Sequence, residues 1–222
     1  MDQGQLLKIA LLALLTCGAV GCVQGDVREV RSGLVRGDSE GRSTVIDLKV
    51  EKYESLMREF PDEPRYRERL ARLYWMKKDH RNALRYLDQA AKLDPENPKY
   101  AYLKGTIYAG IKNYRLAEAS FKEILDGKGA KYTGPYIQLA EICLQEDRPD
   151  QAFEYLSKCA EVDPDFSTPH YYLGMIWFAR SNQEKGIHHF EEYLRLGGGA
   201  FQPEVIQVLR RLQPNLRIHH IR

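Results

Sequence analysis

From Val45 onward, apolar side chains recur every three to four residues, and the runs are cut at near-regular intervals by proline or glycine. The clearest run lies between His80 and Pro98. Ala83, Leu84, Leu87, Ala90, Ala91 and Leu93 share one helical face, and Arg81, Arg85, Asp88 and Lys92 take the other. Asp94-Pro95 ends this helix, because proline has no amide donor and restricts the residue before it. Pro98 can open the next one, since a first turn has no use for that donor. The same reading predicts helices over residues 45–60, 64–77, 81–93, 98–111, 114–126, 134–145, 149–162, 168–180, 182–196 and 203–212. No segment alternates with period two over a useful length, so no sheet is expected.

The helices repeat. Ala83 to Ala117 is 34 residues, Ala117 to Ala152 is 35, and Ala152 to Gly186 is 34. Ala71, Gly105, Ala140 and Gly174 keep this step, as do Tyr74, Tyr108, Cys143 and Trp177. Leu87, Phe121, Leu156 and Phe190 make a bulky row, and Pro61, Pro95, Gly129, Pro164 and Gly198 make a row of breaks. The extra residue falls in the loop before the third pair. Small residues let helix backbones approach, and bulky ones fill the space between them. A hairpin cannot bury its stripe alone, so neighbours must stack.

These rows resemble the tetratricopeptide repeat, a helix–turn–helix unit of about 34 residues. Ile124 and Tyr193 depart from the small-residue row of the second helix, and the tryptophan usual near the start of the first helix is absent. The resemblance implies an all-α fold, a right-handed superhelix of about four repeats at 64–97, 98–132, 133–166 and 167–200. A capping helix or half repeat is expected at 45–63, and a C-terminal capping helix with a tail at 201–222. In this family the first helices line a concave groove. Carried over by position, the partner-binding residues are Arg65, Arg72, Trp75, Tyr102, Thr106, Ile137, Glu141, Tyr171, Met175 and Phe178. Such a groove, apolar and aromatic with a basic edge, is suited to a peptide or protein segment.

The N-terminus differs in kind. Lys8 precedes the uncharged run Ile9 to Val23, which is too short for a bilayer-spanning helix and has the form of an export signal. Its end, Ala19-Val20-Gly21-Cys22, resembles the bacterial lipobox, in which small residues precede a cysteine that becomes lipidated. The expectation is a lipoprotein signal peptide at 1–21, lipidation of Cys22, and a flexible tether at 22–44. It places the chain in a bacterial cell envelope, facing the periplasm, with the outer membrane favoured because Val23 is not the aspartate tied to inner-membrane retention. Export also raises the question of a Cys143–Cys159 disulfide. Across the hairpin the two lie about ten residues, or roughly 15 Å, out of register. A bridge requires Cα atoms within about 7 Å, so none is expected.

Composition adds mainly exclusions. A net charge of +2 leaves no basic footprint for general nucleic-acid binding. There is no glycine-rich phosphate loop, no His-Glu-x-x-His and no Cys-x-x-Cys, so no catalytic residue, cofactor or metal is expected. His188 and His189 are adjacent and point about 100° apart on a helix, which keeps them from sharing a face. The tail holding His219 and His220 reads as a frayed end. The sequence therefore predicts a non-catalytic, membrane-anchored scaffold that binds a protein or peptide partner, with assembly of a pilus, secretion or outer-membrane complex as its expected setting. The alternative is an accessory subunit of a cell-wall or polysaccharide enzyme system.

Overall fold

The computed structural model describes residues 39–127 and 129–213. Cys22, the signal at 1–21, most of the expected tether and the tail from Pro214 lie outside the described residues. Among those described there are ten α-helices and no strand: α1 (Ser39–Glu59), α2 (Pro64–Met76), α3 (His80–Leu93), α4 (Pro98–Gly110), α5 (Tyr114–Asp126), α6 (Thr133–Gln145), α7 (Pro149–Val162), α8 (Thr168–Ala179), α9 (Gln183–Arg195) and α10 (Gln202–Leu212). The expected boundaries hold to within two residues, with one exception. Helix α1 begins at Ser39, so the last six residues assigned to the tether are helical.

The described residues divide into two compact units, residues 39–130 and residues 131–213. In the first, α2 pairs with α3 and α4 with α5, while α1 packs on α2 and α3 on α4. Leu70, Ala71, Ala83, Leu87 and Ala90 are buried between them. Val50 of α1 joins this core, with Ile46, Tyr53 and Met57 beside it. Tyr74 donates to Glu54 at 3.2 Å and Lys77 to Asp47 at 2.7 Å, so α1 covers the open side of the first hairpin. In the second unit α6 pairs with α7 and α8 with α9, α7 packs on α8, and α10 packs on α9. Val205 and Leu209 bury the inner face of α10, which caps this unit.

One device closes every hairpin. Lys78, Lys112, Asp147 and Ser181 all have positive φ, between 56° and 61°, and stand one repeat step apart. Each follows a first helix by one residue beyond its cap and lets the chain reverse. After α2, the Lys78 N–H donates to the Trp75 carbonyl and the Asp79 N–H to the Tyr74 carbonyl. The same pair of bonds recurs after α4, α6 and α8. This is the Schellman motif, which satisfies the last helical carbonyls. The next residue then caps the second helix: Asp79, Asn113 and Asn182 accept from the N–H three residues on. In the third hairpin Arg148 cannot cap in this way, and Pro149 opens α7 instead.

Cys143 and Cys159 are buried and not disulfide-bonded. The Cys159 thiol donates to the Thr133 carbonyl at 3.7 Å, whereas Cys143 lies 3.9 Å from Gln151 Oε1. Both serve as small core residues.

Candidate functional site

In the first unit, the first helices α2 and α4 run side by side and in the same direction. Lys99, at the start of α4, reaches Glu68 of α2 at 2.9 Å. At the other end, a Cβ added to Gly110 of α4 would stand 2.5 Å from the Trp75 ring of α2. Glycine is needed there because the indole lies on the backbone.

Glu68 is the centre of this face. It is 7% exposed and accepts from Arg72 Nε at 2.8 Å, one turn along the same helix, as well as from Lys99. Burial by itself would raise its carboxyl, but hydrogen bonds and charge from Lys99 and Arg72 outweigh that and hold it below the usual value. Arg65 extends into solvent beside Glu63 at 3.2 Å, its guanidinium 4.9 Å from the Tyr66 ring. Trp75 is half-buried and packs against His80 at 5.1 Å between ring centroids, while neighbouring Met76 is 61% exposed. Tyr102 rests edge-on against Phe121 at 5.5 Å. Thr106 donates its hydroxyl to the Tyr102 carbonyl within the helix. Arg65, Arg72 and Trp75 thus stand on α2 and Tyr102 and Thr106 on α4, with Glu68 linking Arg72 to Lys99 across the two helices. Lys99 belongs with them and was missed, although it stands one repeat step beyond Arg65.

The second unit places its expected residues differently. Ile137 and Tyr171 are 6% and 3% exposed, so they are core residues and not open groove positions. Tyr171 is covered by Phe201, stacked at 4.1 Å, with Phe190 and Tyr193 around it. Two bonds hold the covering segment: the Ser167 hydroxyl donates to the Gly198 carbonyl at 2.7 Å, and the Phe201 N–H donates to the Tyr193 hydroxyl at 3.1 Å. Glu141 is partly buried and accepts from Tyr172 at 2.6 Å and Gln138 at 2.8 Å. Burial outweighs those two bonds and raises its carboxyl above the usual value. Met175 is half-buried. Phe178 lies on the backbone of Gly186, where an added Cβ would meet its ring at 2.9 Å.

One contact has no counterpart in the expected set. His170 of α8 and His189 of α9 face each other, Nδ1 to Nδ1, at 3.2 Å. The sequence weighed His189 only against its neighbour His188, whose ring stands 5.7 Å away. The true partner is on the opposite helix.

Comparison with known proteins agrees with this geometry. Two models of the tetratricopeptide repeat match residues 69–132 and 134–166. A curated relative is anaphase-promoting complex subunit 3 of Schizosaccharomyces pombe, 27% identical over 128 residues. That match takes in 57% of this chain and 19% of the relative's length. Among solved structures, MamA from Desulfovibrio magneticus RS-1 superposes with a TM-score of 0.58 at 18% identity, over 70% of this chain and 88% of that one. YrrB, described as a tetratricopeptide protein with an unusual peptide-binding site, gives 0.56 at 16% identity, over 78% and 86%. PilF of Pseudomonas aeruginosa gives 0.57 at 14%, over 79% and 95%. The fold is all-α and tetratricopeptide in kind, an architecture that typically serves as a non-catalytic scaffold for protein interactions.

Proposed function

We propose that this chain of tetratricopeptide hairpins holds a partner polypeptide on the first-helix face of α2 and α4, and does so while tethered to a membrane through Cys22. The observation that carries the binding reading is the set of side chains around Glu68. Arg72 and Lys99 share the single buried carboxylate of Glu68, Arg65 at the start of the same helix pairs with Glu63, and the half-buried Trp75 and exposed Met76 lie further along α2. Two carboxylates, Glu63 and Glu68, meet these three cations and leave one positive charge in excess. A segment with an acidic residue over the cations and an apolar residue over Trp75 and Met76 fits this face. Arginine suits carboxylate recognition because its planar fork presents paired donors.

The anchor and the envelope role are inferred from the sequence around Cys22, and assembly of a pilus, secretion or outer-membrane complex is the setting proposed for them. Two experiments separate these parts. A photoreactive residue at Tyr102 should crosslink a partner in cells, with the yield falling sharply in Arg72→Glu and Trp75→Ala. Unchanged yield in both variants would sink the binding face. Labelled palmitate should enter the wild-type chain and not Cys22→Ala; equal labelling in both would remove the anchor and leave the binding face standing.

A further inference from the structure

We propose that His170 and His189 form a two-nitrogen binding site for a divalent transition-metal cation of the zinc class, bridging α8 and α9 in the last hairpin. This goes beyond partner binding and draws on none of its residues. The separation of the two Nδ1 atoms is the first argument. Zinc binds imidazole nitrogen at about 2.0–2.1 Å, so two such bonds place their nitrogens about 2.9 Å apart at a right angle and about 3.3 Å apart at the tetrahedral angle. The observed 3.2 Å lies within that span. Neighbouring ligands of one ion need this spacing.

The second argument is the setting. The ligands sit on two helices of one hairpin that pack along their length, so the separation is held by the fold. Both rings are partly exposed, which lets an ion and its waters reach them. Among the described residues no group of three His, Cys, Asp or Glu is set to hold a metal. The two imidazoles would therefore supply two of the ion's four bonds, and solvent would have to supply the rest. The charges that face it are mixed. Glu192 acts favourably on both histidines, and Arg195, Lys185 and His188 oppose it. Glu192 lies one helical turn beyond His189 and is paired with Arg195, from which it accepts two hydrogen bonds.

A hydrogen bond between the rings would account for the same distance, with one Nδ1–H donating to the other Nδ1, and zinc titration distinguishes the two. Tag-free full-length protein is stripped with EDTA and titrated with ZnCl2 by calorimetry, and its melting temperature is followed with and without zinc. The expected result is one saturable equivalent and a rise in melting temperature, both lost in His170→Asn and in His189→Asn and both kept in His188→Asn. Binding that survives in the first two variants would place the ion elsewhere, the His219–His220 tail included, and would overturn the site, as would no saturable binding by the wild type. Should a variant fail to fold, nitrogen NMR of the wild-type imidazoles decides. Zinc must shift Nδ1 of His170 and of His189; a shift confined to other histidines refutes the proposal.

Discussion

Gly174→Ala combined with Phe190→Leu tests how the hairpins divide their interior volume. A Cβ at Gly174 would lie 2.5 Å from Phe190 Cδ1, 2.7 Å from its Cε1 and 3.2 Å from the Gly186 carbonyl oxygen. Phe190 cannot retreat, being 2% exposed and walled by Phe178 at 5.1 Å and Tyr171 at 6.0 Å between centroids. Overpacking of this kind costs about 1–3 kcal/mol. Alanine returns about 1 kcal/mol through its better helix propensity. With a ring and a backbone carbonyl both fixed, the net loss for Gly174→Ala should be about 1–2 kcal/mol. Phe190→Leu alone leaves a small void and should cost about 1 kcal/mol. Together they recreate a pairing the chain already uses. By the repeat step, Gly174 and Phe190 correspond to Gly105 and Phe121, but also to Ala71 with Leu87 and Ala140 with Leu156, all four of which are 0–1% exposed. Glycine stands with phenylalanine and alanine with leucine. The double variant should therefore recover about 1–2 kcal/mol relative to the sum of the singles. Urea unfolding followed by far-ultraviolet circular dichroism on the four proteins measures this. Additivity to within about 0.5 kcal/mol would refute volume exchange between the two positions.

The hairpin turns should be improvable. Lys78→Gly or Ser181→Gly relieves a left-handed residue, φ 61° and 59°, and should stabilise the protein by up to about 1 kcal/mol in the same urea assay; a loss would show that these turns carry no strain. Glu141 gives a pH signature. Its carboxyl is raised above 4.5, so the stability its protonated form confers is complete below that pH and lost as pH rises through the folded value. Glu141→Gln should then raise the urea midpoint at pH 7, and the gain should vanish near pH 4; an equal gain at both would deny the raised carboxyl. Cys159 is fully buried, and burial, followed by the charge of Asp163, pushes its thiol up to about 12. Native protein should resist iodoacetamide at Cys159 while denatured protein reacts at once, as read by peptide mass spectrometry; equal rates in the two states would contradict its burial.

The repeat was legible because the residues that report it are those the fold cannot vary freely. Ala83, Ala117, Ala152 and Gly186 are all buried where two helices touch, and their spacing survives even where the exposed faces change. The hairpin turns were not legible. Lys78, Lys112, Asp147 and Ser181 have no side-chain chemistry in common, and a left-handed conformation is usually signalled by glycine. There the closure geometry sets φ and the residue tolerates it. The early start of α1 was hidden by Gly41, which lowers helix propensity by about 1 kcal/mol. The His170–His189 pair spans a hairpin, and inspection of one helix at a time cannot find it.

The buried state of Tyr171 follows from what stands after it. Glu68, Tyr102, Ile137 and Tyr171 occupy one row, separated by steps of 34, 35 and 34 residues, and this row supplied much of the expected groove. Within the first unit, Glu68 is met by Lys99, from the start of the next first helix. Within the second, Tyr171 is met by Phe201, at the start of α10. The separations are 31 and 30 residues, so α10 stands where the first helix of another repeat would stand, and Phe201 performs with a ring what Lys99 performs with a charge. At both of these points, this row is the seam between consecutive first helices. The open positions lie to either side of it, at Arg65, Arg72 and Met76. Substitutions along the seam should change stability, whereas those at the flanking positions should change partner binding and leave the melting temperature nearly unmoved. Phe201→Ala decides the first half of that statement. It removes the stacked cover from Tyr171 and should cost about 2–3 kcal/mol if the seam is core, less than for a fully buried phenylalanine because Phe201 is itself half-buried. A cost within about 0.5 kcal/mol, the range of an ordinary surface substitution, would return Tyr171 to the groove.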